Sequence, residues 1–413
     1  MPRAAFVLLT LSAALISPLA RPQTAGPASP PTTCTRTSGL TLPEGFCAIL
    51  VADQLGDLRH LTVAANGDLF VSLNDNGIVA LRDTDGDGRA DLRRTFGDAG
   101  GTGLGFHGGY LYFSPDDRVI RWPWTAGGLG PSGSAETIVE GLPTGGHTAK
   151  SFIFLGRDTM IVNFGSQTNS CQARDRATRS PGRDPCTELE RRAGLWQFNS
   201  ARLHQRPTDG TRYATGLRNA LALAVDPADG ALFAAPHGRD QLAQNWGYTD
   251  AQGAELPSEE LVRVSAGDDF GWPYCYFDHQ QGKLVLAPEY GGDGKAIGRC
   301  ASKKPPVYGF PGHWAPMALA FCTGTQFPEA YRGGLFIAFH GSWNRAPLPQ
   351  EGYRISFLPM RAGHPAGPPI TFATGQDGPT SLRASGVAMG PDGSLYIGSA
   401  RNGTVWKVMA RPS

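Results

Sequence analysis

Short apolar runs separated by glycine-containing turns recur along the chain: an apolar run, a turn, an alternating apolar and polar run, another turn, then a third strand-like segment. Six copies occur, opening at His60 (HLTVAANGDLFVSLNDNGIVALRD), Leu104, Lys150, Asn219, Met317 and Ala384. Each has the length of a three- to four-stranded antiparallel unit, and turns such as Asn66-Gly67 and Asp392-Gly393 supply residues that tolerate positive φ. A sheet of that size buries one face on its own, whereas blades around an axis bury both and leave few open edges. The pattern therefore predicts an all-β chain, a six-bladed β-propeller over residues 44–411, with the run FCAILVA from Phe46 closing the ring against the last blade. Long inserts at about residues 165–215, 240–315 and 340–375 belong on the rims, where pockets are built.

Ahead of the first blade, Arg3, an apolar stretch over residues 4–16 and the sequence SPLA predict a signal peptide over residues 1–20, with an uncleaved anchor as the alternative. A Pro-rich leader over residues 21–43 follows. Seven cysteines in an exported chain predict disulfides, and their spacing suggests three local pairs, Cys34 with Cys47, Cys171 with Cys186, and Cys275 with Cys300. Two of these pairs would staple loop insertions. Cys322, in the run MALAFC, is expected as a buried strand residue. These features place the chain in the periplasm or outside the cell.

Composition narrows the function. The 413 residues carry 37 Lys+Arg against 36 Asp+Glu, and a net charge of +1 offers no field for gripping nucleic acid or anionic lipid. No apolar run after residue 20 approaches the roughly 20 residues of a spanning helix. There is no phosphate loop of the Gly-x-x-x-x-Gly-Lys type, no His-Glu-x-x-His, no Gly-x-Ser-x-Gly and no Cys-x-x-Cys-His.

What remains is a set of His and Arg residues at blade starts and ends: Arg59, His60, His147, Arg218, His237, Arg239, His340, Arg345 and Arg383. Blade-start residues converge on a propeller axis, so cations from several blades would line one pocket and call for a polyanionic ligand. The alternative is that several of these Arg pair with acidic groups on neighbouring blades. Separately, Asp83, Asp85, Asp87 and Asp91 alternate as in the first nine positions of a Ca²⁺ loop, although position twelve is Arg94. That turn is either a structural metal site or a solvated acidic turn.

The segments LGDLRHLTV, GGHTAKSFIF, TGLRNALALAVDP, DDFGWPYCY, FHGSWNR and GVAMGPDGSLYIG, taken in order over about residues 40–410, resemble the soluble sugar and sorbosone dehydrogenases that use pyrroloquinoline quinone, a six-bladed propeller group. The resemblance implies that Arg59, Arg218, Asn219, His340 and Arg383 hold the tricarboxylate cofactor. It further implies that His147 is the catalytic base, assisted by Arg218, and that Ca²⁺ lies on main-chain carbonyls of the turn at Gly238 and Arg239. Arg239 stands where the sugar-oxidising members often have Pro, which puts an extra cation by the metal, and Lys150 stands where another polar residue occurs. The implied activity is oxidation of an aldose or sugar-derived aldehyde, with electrons passed to an external quinone or a separate cytochrome. Two competing readings are a lactonase-like metal hydrolase, which needs axial carboxylates, and a non-catalytic recognition module.

Overall fold

The computed structural model describes Met1, Cys34 and residues 39–411. The signal peptide expected over residues 1–20 and most of the leader fall outside them. Six sheets, antiparallel but for the outermost two-residue strand of the third, follow one another, and their innermost strands are Leu58–Val63, Leu104–His107, Phe152–Leu155, Ala222–Val225, Pro316–Phe321 and Ala384–Met389. Each touches the next, and the last touches the first, so the six sheets are blades around one axis. Six apolar clusters fill the six interfaces between neighbouring blades. Between blades 1 and 2, for instance, Phe70, Ile78 and Ala80 meet Leu111, Phe113 and Trp122. A strand sandwiched this way is buried on both faces, which explains why Leu69–Leu73 and Leu335–Phe339 are buried throughout and, Ser72 apart, apolar without alternation.

The ring closes as the pattern predicts. Phe46–Ala52 pairs antiparallel with Thr404–Ala410, supplying the outer strand of blade 6. The end of the leader is ordered as sheet: Leu40–Thr41 pairs with Ile370–Gly375 as a fifth strand of blade 5, because fully buried Leu40 fills the seam between blades 5 and 6. Cys34–Cys47, Cys171–Cys186 and Cys275–Cys300 are all disulfides. Cys322 is free and buried, and burial pushes its thiol up to about 11.

Strand polarity sorts the loops. In every blade the chain enters the innermost strand and leaves the second strand at the same rim. His147, Arg218, Asn219 and Arg383 precede innermost strands, Arg59 lies at the start of one, and His237 and His340 follow second strands, Leu232–Ala235 and Leu335–Phe339. All seven therefore share one rim. The acidic turn at residues 83–91 follows the third strand of blade 1, Ile78–Arg82, and so lies on the opposite rim.

Candidate active site

His147 is fixed by two glycines. Gly146 has φ of +60° and passes so close to Gln167 that a Cβ would lie 2.4 Å from its carbonyl, and a Cβ on Gly165 would lie 2.6 Å from that of His147. The imidazole Nδ1 is 3.0 Å from both the carbonyl and the Oγ of Ser166, while that hydroxyl donates to the Thr168 carbonyl. Both neighbours of Nδ1 accept, so Nδ1 carries the proton and Nε2 is left with a lone pair. Burial and, after it, the field of Arg218 depress the imidazole to about 3, so it is neutral in ordinary buffers.

Arg218 reaches Ser166 through its own carbonyl, which accepts from the Ser166 amide at 2.7 Å. Its guanidinium donates to Asn169, to the Gly238 carbonyl at 2.8 Å and to Asp240 Oδ2 at 3.1 Å. Asp240 is the hub. It also pairs with Arg176 at 2.7 Å and accepts from Asn344 Nδ2 at 2.8 Å. Burial alone would push its carboxyl up, but Arg218 and Arg176 override this and hold it at about 2. Asn219 accepts from Asn163 Nδ2, and its carbonyl takes the amide of His237, so blade 4 is tied across the same hollow.

The remaining residues complete the circle. His340 sits in the fields of Arg383, Arg59 and His237, and burial with Arg383 lowers it to about 3. A guanidinium only donates, and Arg383 NH2 lies 3.0 Å from His340 Nδ1, nearer than the Gly341 carbonyl at 3.3 Å, so that nitrogen accepts and Nε2–H remains a donor. Burial lowers His237 and His60 to about 4, and both are bonded to carbonyls of blade 5, Pro316 and Met317.

The cations fall into two classes. Arg218 pairs with Asp240, Arg239 with Glu289 and Arg345 with Glu255, which is the bland arrangement the sequence left open. Arg59 instead donates only to the Asn74 amide oxygen, and Arg383 contacts neutral His340. Neither meets a carboxylate among the described residues. The buried Nε of Arg383 and the buried Oδ1 of Asn344 have no partner at all. Uncompensated guanidinium groups around one hollow, with an unused donor, fit an anion of several carboxylates.

Gly238 N donates to Glu259 and Gly238 O accepts from Arg218, which leaves that carbonyl its second lone pair; the Arg239 carbonyl accepts from none of the described residues. Two adjacent carbonyls backed by Asp240 and Glu259 suit a hard cation. Burial pushes Glu259 up to about 7. The extra cation expected from Arg239 does not reach this place, because its side chain is turned back into an ion pair of 2.6 Å with fully buried Glu289. Lys150 is buried without a carboxylate, its Nζ donating to the carbonyls of Pro143 and Thr148.

On the opposite rim, Asp83, Asp85 and Asp91 bring carboxylate oxygens within 4.8 Å of one another. Asp87 is outside that group, its Oδ1 accepting from the Arg89 amide. Sequence reading assigned no role to Asp240, Asn169, Glu259, Glu289 or Asn344. Asn169 comes from the first long insert, Asp240, Glu259 and Glu289 from the second and Asn344 from the third, and only the turn at Gly238 and Arg239 and the FHGSWNR segment pointed toward two of them.

A family model described as TrAA12-like matches residues 40–411. The calcium structure of a Trichoderma reesei enzyme of carbohydrate-active family AA12 superposes with a TM-score of 0.76 at 18% identity, covering 92% of this chain and 100% of that one. The holo pyranose dehydrogenase PQQ domain of Coprinopsis cinerea gives 0.75 at 19% identity, covering 91% and 98%. The soluble aldose sugar dehydrogenase of Escherichia coli, in its apo form, gives 0.58 at 15% identity, covering 89% and 100%. An uncharacterised protein of Borreliella burgdorferi is 32% identical over 146 residues, 35% of this chain, and the match spans about a third of that relative, 33% of its length. At these identities the superpositions establish the shared propeller, and the match of the family model across all six blades establishes that the chain belongs to the TrAA12-like family.

Proposed function

We propose that the chain oxidises an aldose or a sugar-derived aldehyde of the sorbosone class with pyrroloquinoline quinone and Ca²⁺, and hands the electrons to an external quinone or cytochrome. The observation that carries this reading is the pair of guanidinium groups, Arg59 and Arg383, that face a common hollow without a carboxylate, one of them with a buried unused donor. A tricarboxylate supplies the missing charge. The fold relatives agree with it, one being described as a calcium structure and another as a holo PQQ domain.

In this reading Arg59, Asn219, His340 and Arg383 bind and orient the cofactor, and the carbonyls of Gly238 and Arg239 hold the metal. The bound quinone supplies a two-electron acceptor for the hydride of the sugar carbon. His147 takes the hydroxyl proton of that carbon at Nε2, the nitrogen its bonds to Ser166 leave bare. Arg218, buried and held by four bonds, stabilises negative charge that develops on the oxygen facing it. Asp83, Asp85 and Asp91 would carry a second, purely structural Ca²⁺. The three disulfides suit an oxidising compartment, periplasmic or extracellular, and no helix among the described residues is long and apolar enough to cross a membrane.

A hydrolytic metal centre fits less well, because the carboxylates near the axis are already committed, Asp240 to two guanidinium groups and Glu259 to two backbone amides. The test is to add quinone and Ca²⁺ to the purified chain and record both the cofactor spectrum and dye reduction with a panel of sugars. The reading requires a spectral change on binding, turnover with at least one sugar, and loss of turnover in His147→Ala. An unchanged spectrum and no dye reduction would overturn it.

A further inference from the structure

The turn at residues 237–240 is anchored unevenly. His237 N donates to the Asn219 carbonyl, Gly238 N to Glu259 and Asp240 N to Asn169 Oδ1. The main chain of Arg239 makes no hydrogen bond to any of the described residues: its N–H donates to none, and its carbonyl accepts from none. That carbonyl shares a rigid peptide plane with the Asp240 N–H, so Asn169 holds the plane at its Asp240 end, while at the other end the Cα of Arg239 is held by its side chain. That side chain ends on Glu289, whose carboxylate is fully buried and collects further donors, Ser170 Oγ at 2.9 Å and Trp246 Nε1 at 3.0 Å. Ser170 belongs to the insert stapled by Cys171–Cys186, and Glu289 to the insert stapled by Cys275–Cys300.

We infer that Glu289 is a positioning residue of the metal-binding turn: it clamps Arg239 between the two disulfide-bonded inserts and, with the Asn169 bond at the other end of the peptide plane, aims the Arg239 carbonyl. A charge pair buried this deeply earns little stability as such, since desolvation consumes most of the attraction, and it is better explained by the geometry it enforces. The inference rests on the calcium reading above. It assigns to Glu289, which lies outside the hollow, control over cation affinity.

The test is titration of Ca²⁺ into the quinone-loaded protein by calorimetry, with unfolding midpoints measured without Ca²⁺ to separate stability from affinity. Glu289→Gln is expected to weaken Ca²⁺ binding at least tenfold. Because that variant orphans a buried guanidinium and can fail to fold, the pair Arg239→Met with Glu289→Gln removes both charges and the clamp together, and it too is expected to bind at least tenfold more weakly. The pair Arg239→Pro with Glu289→Gln stiffens the turn by another route, at a position whose N–H has no bond to lose, and is expected to recover affinity to within threefold of the parent. Parent-like affinity in the folded Met/Gln pair, or no recovery in the Pro/Gln pair, would overturn the positioning role while leaving the calcium reading standing. A parent protein that takes up no Ca²⁺ with quinone present would overturn both.

Discussion

Arg383→Met separates a binding cation from a structural one. In the protein as described, the Arg383 guanidinium has a buried Nε without a partner and a single hydrogen bond, to His340. An unsatisfied buried donor costs about 1–3 kcal/mol and the lost bond is worth about 1 kcal/mol, so a near-isosteric apolar side chain is expected to stabilise the cofactor-free protein by up to about 2 kcal/mol. At about 2 °C per kcal/mol for a long chain, the melting midpoint should hold or rise by up to about 4 °C. Removing a charge-assisted bond of about 1.5–3 kcal/mol should meanwhile weaken quinone binding by about 10- to 150-fold. Calorimetric melting without cofactor and spectral titration with it read the two effects in one preparation. A lower midpoint together with unaltered quinone affinity would refute the reasoning, because Arg383 would then be part of the scaffold.

Other expectations follow from the same geometry. His147→Asn should leave quinone titration unchanged and cut dye reduction by about 10²–10⁴, the usual worth of a positioned general base, in a stopped-flow assay with saturating sugar. Asp240→Asn strands buried Arg218 without its partner and should destabilise the cofactor-free protein by about 3–5 kcal/mol in urea unfolding, with part of the loss returned by bound quinone. The four histidines held near 3–4 when folded titrate near 6.5 when unfolded, while Glu259 and Glu260, raised by burial to about 7 and 8, do the reverse. Between pH 5.5 and 4.5 unfolding therefore takes up nearly four protons and releases between one and two. Over that window stability should fall as pH falls, by about 2–3 kcal/mol per unit, and urea midpoints that stay level or climb from pH 5.5 to 4.5 would contradict this.

Blade number and order were legible because each blade repeats the same turn chemistry, and a propeller strand buried on both faces shows as an apolar run such as LFVSL at Leu69–Leu73. The cysteine pairs were legible because each closes a local loop. The gathering of His147, Arg218, His340 and Arg383 on one rim follows from their place before first strands or after second strands, a regularity visible along the chain. Asp240 was not legible as a hub, since its partners Arg176, Arg218 and Asn344 come from three separate segments. The same holds for Arg239, whose charge points away from the turn because Glu289, fifty residues on, neutralises it. Leu40–Thr41 was hidden by brevity: two residues carry no periodicity, and only a seam waiting for one leucine makes them a strand.

Blade 6 draws three strands from the C-terminal end and its fourth from residues 46–52, next to a half-cystine of the Cys34–Cys47 bridge. A chain emerging residue by residue thus holds an orphan edge from the outset, and the ring around its hollow cannot close until residues 384–410 arrive. Closure is a long-range, late event, and such events are slow. Export in an unfolded state, with oxidation and ring completion postponed to the far side of a membrane, is the route this architecture tolerates best.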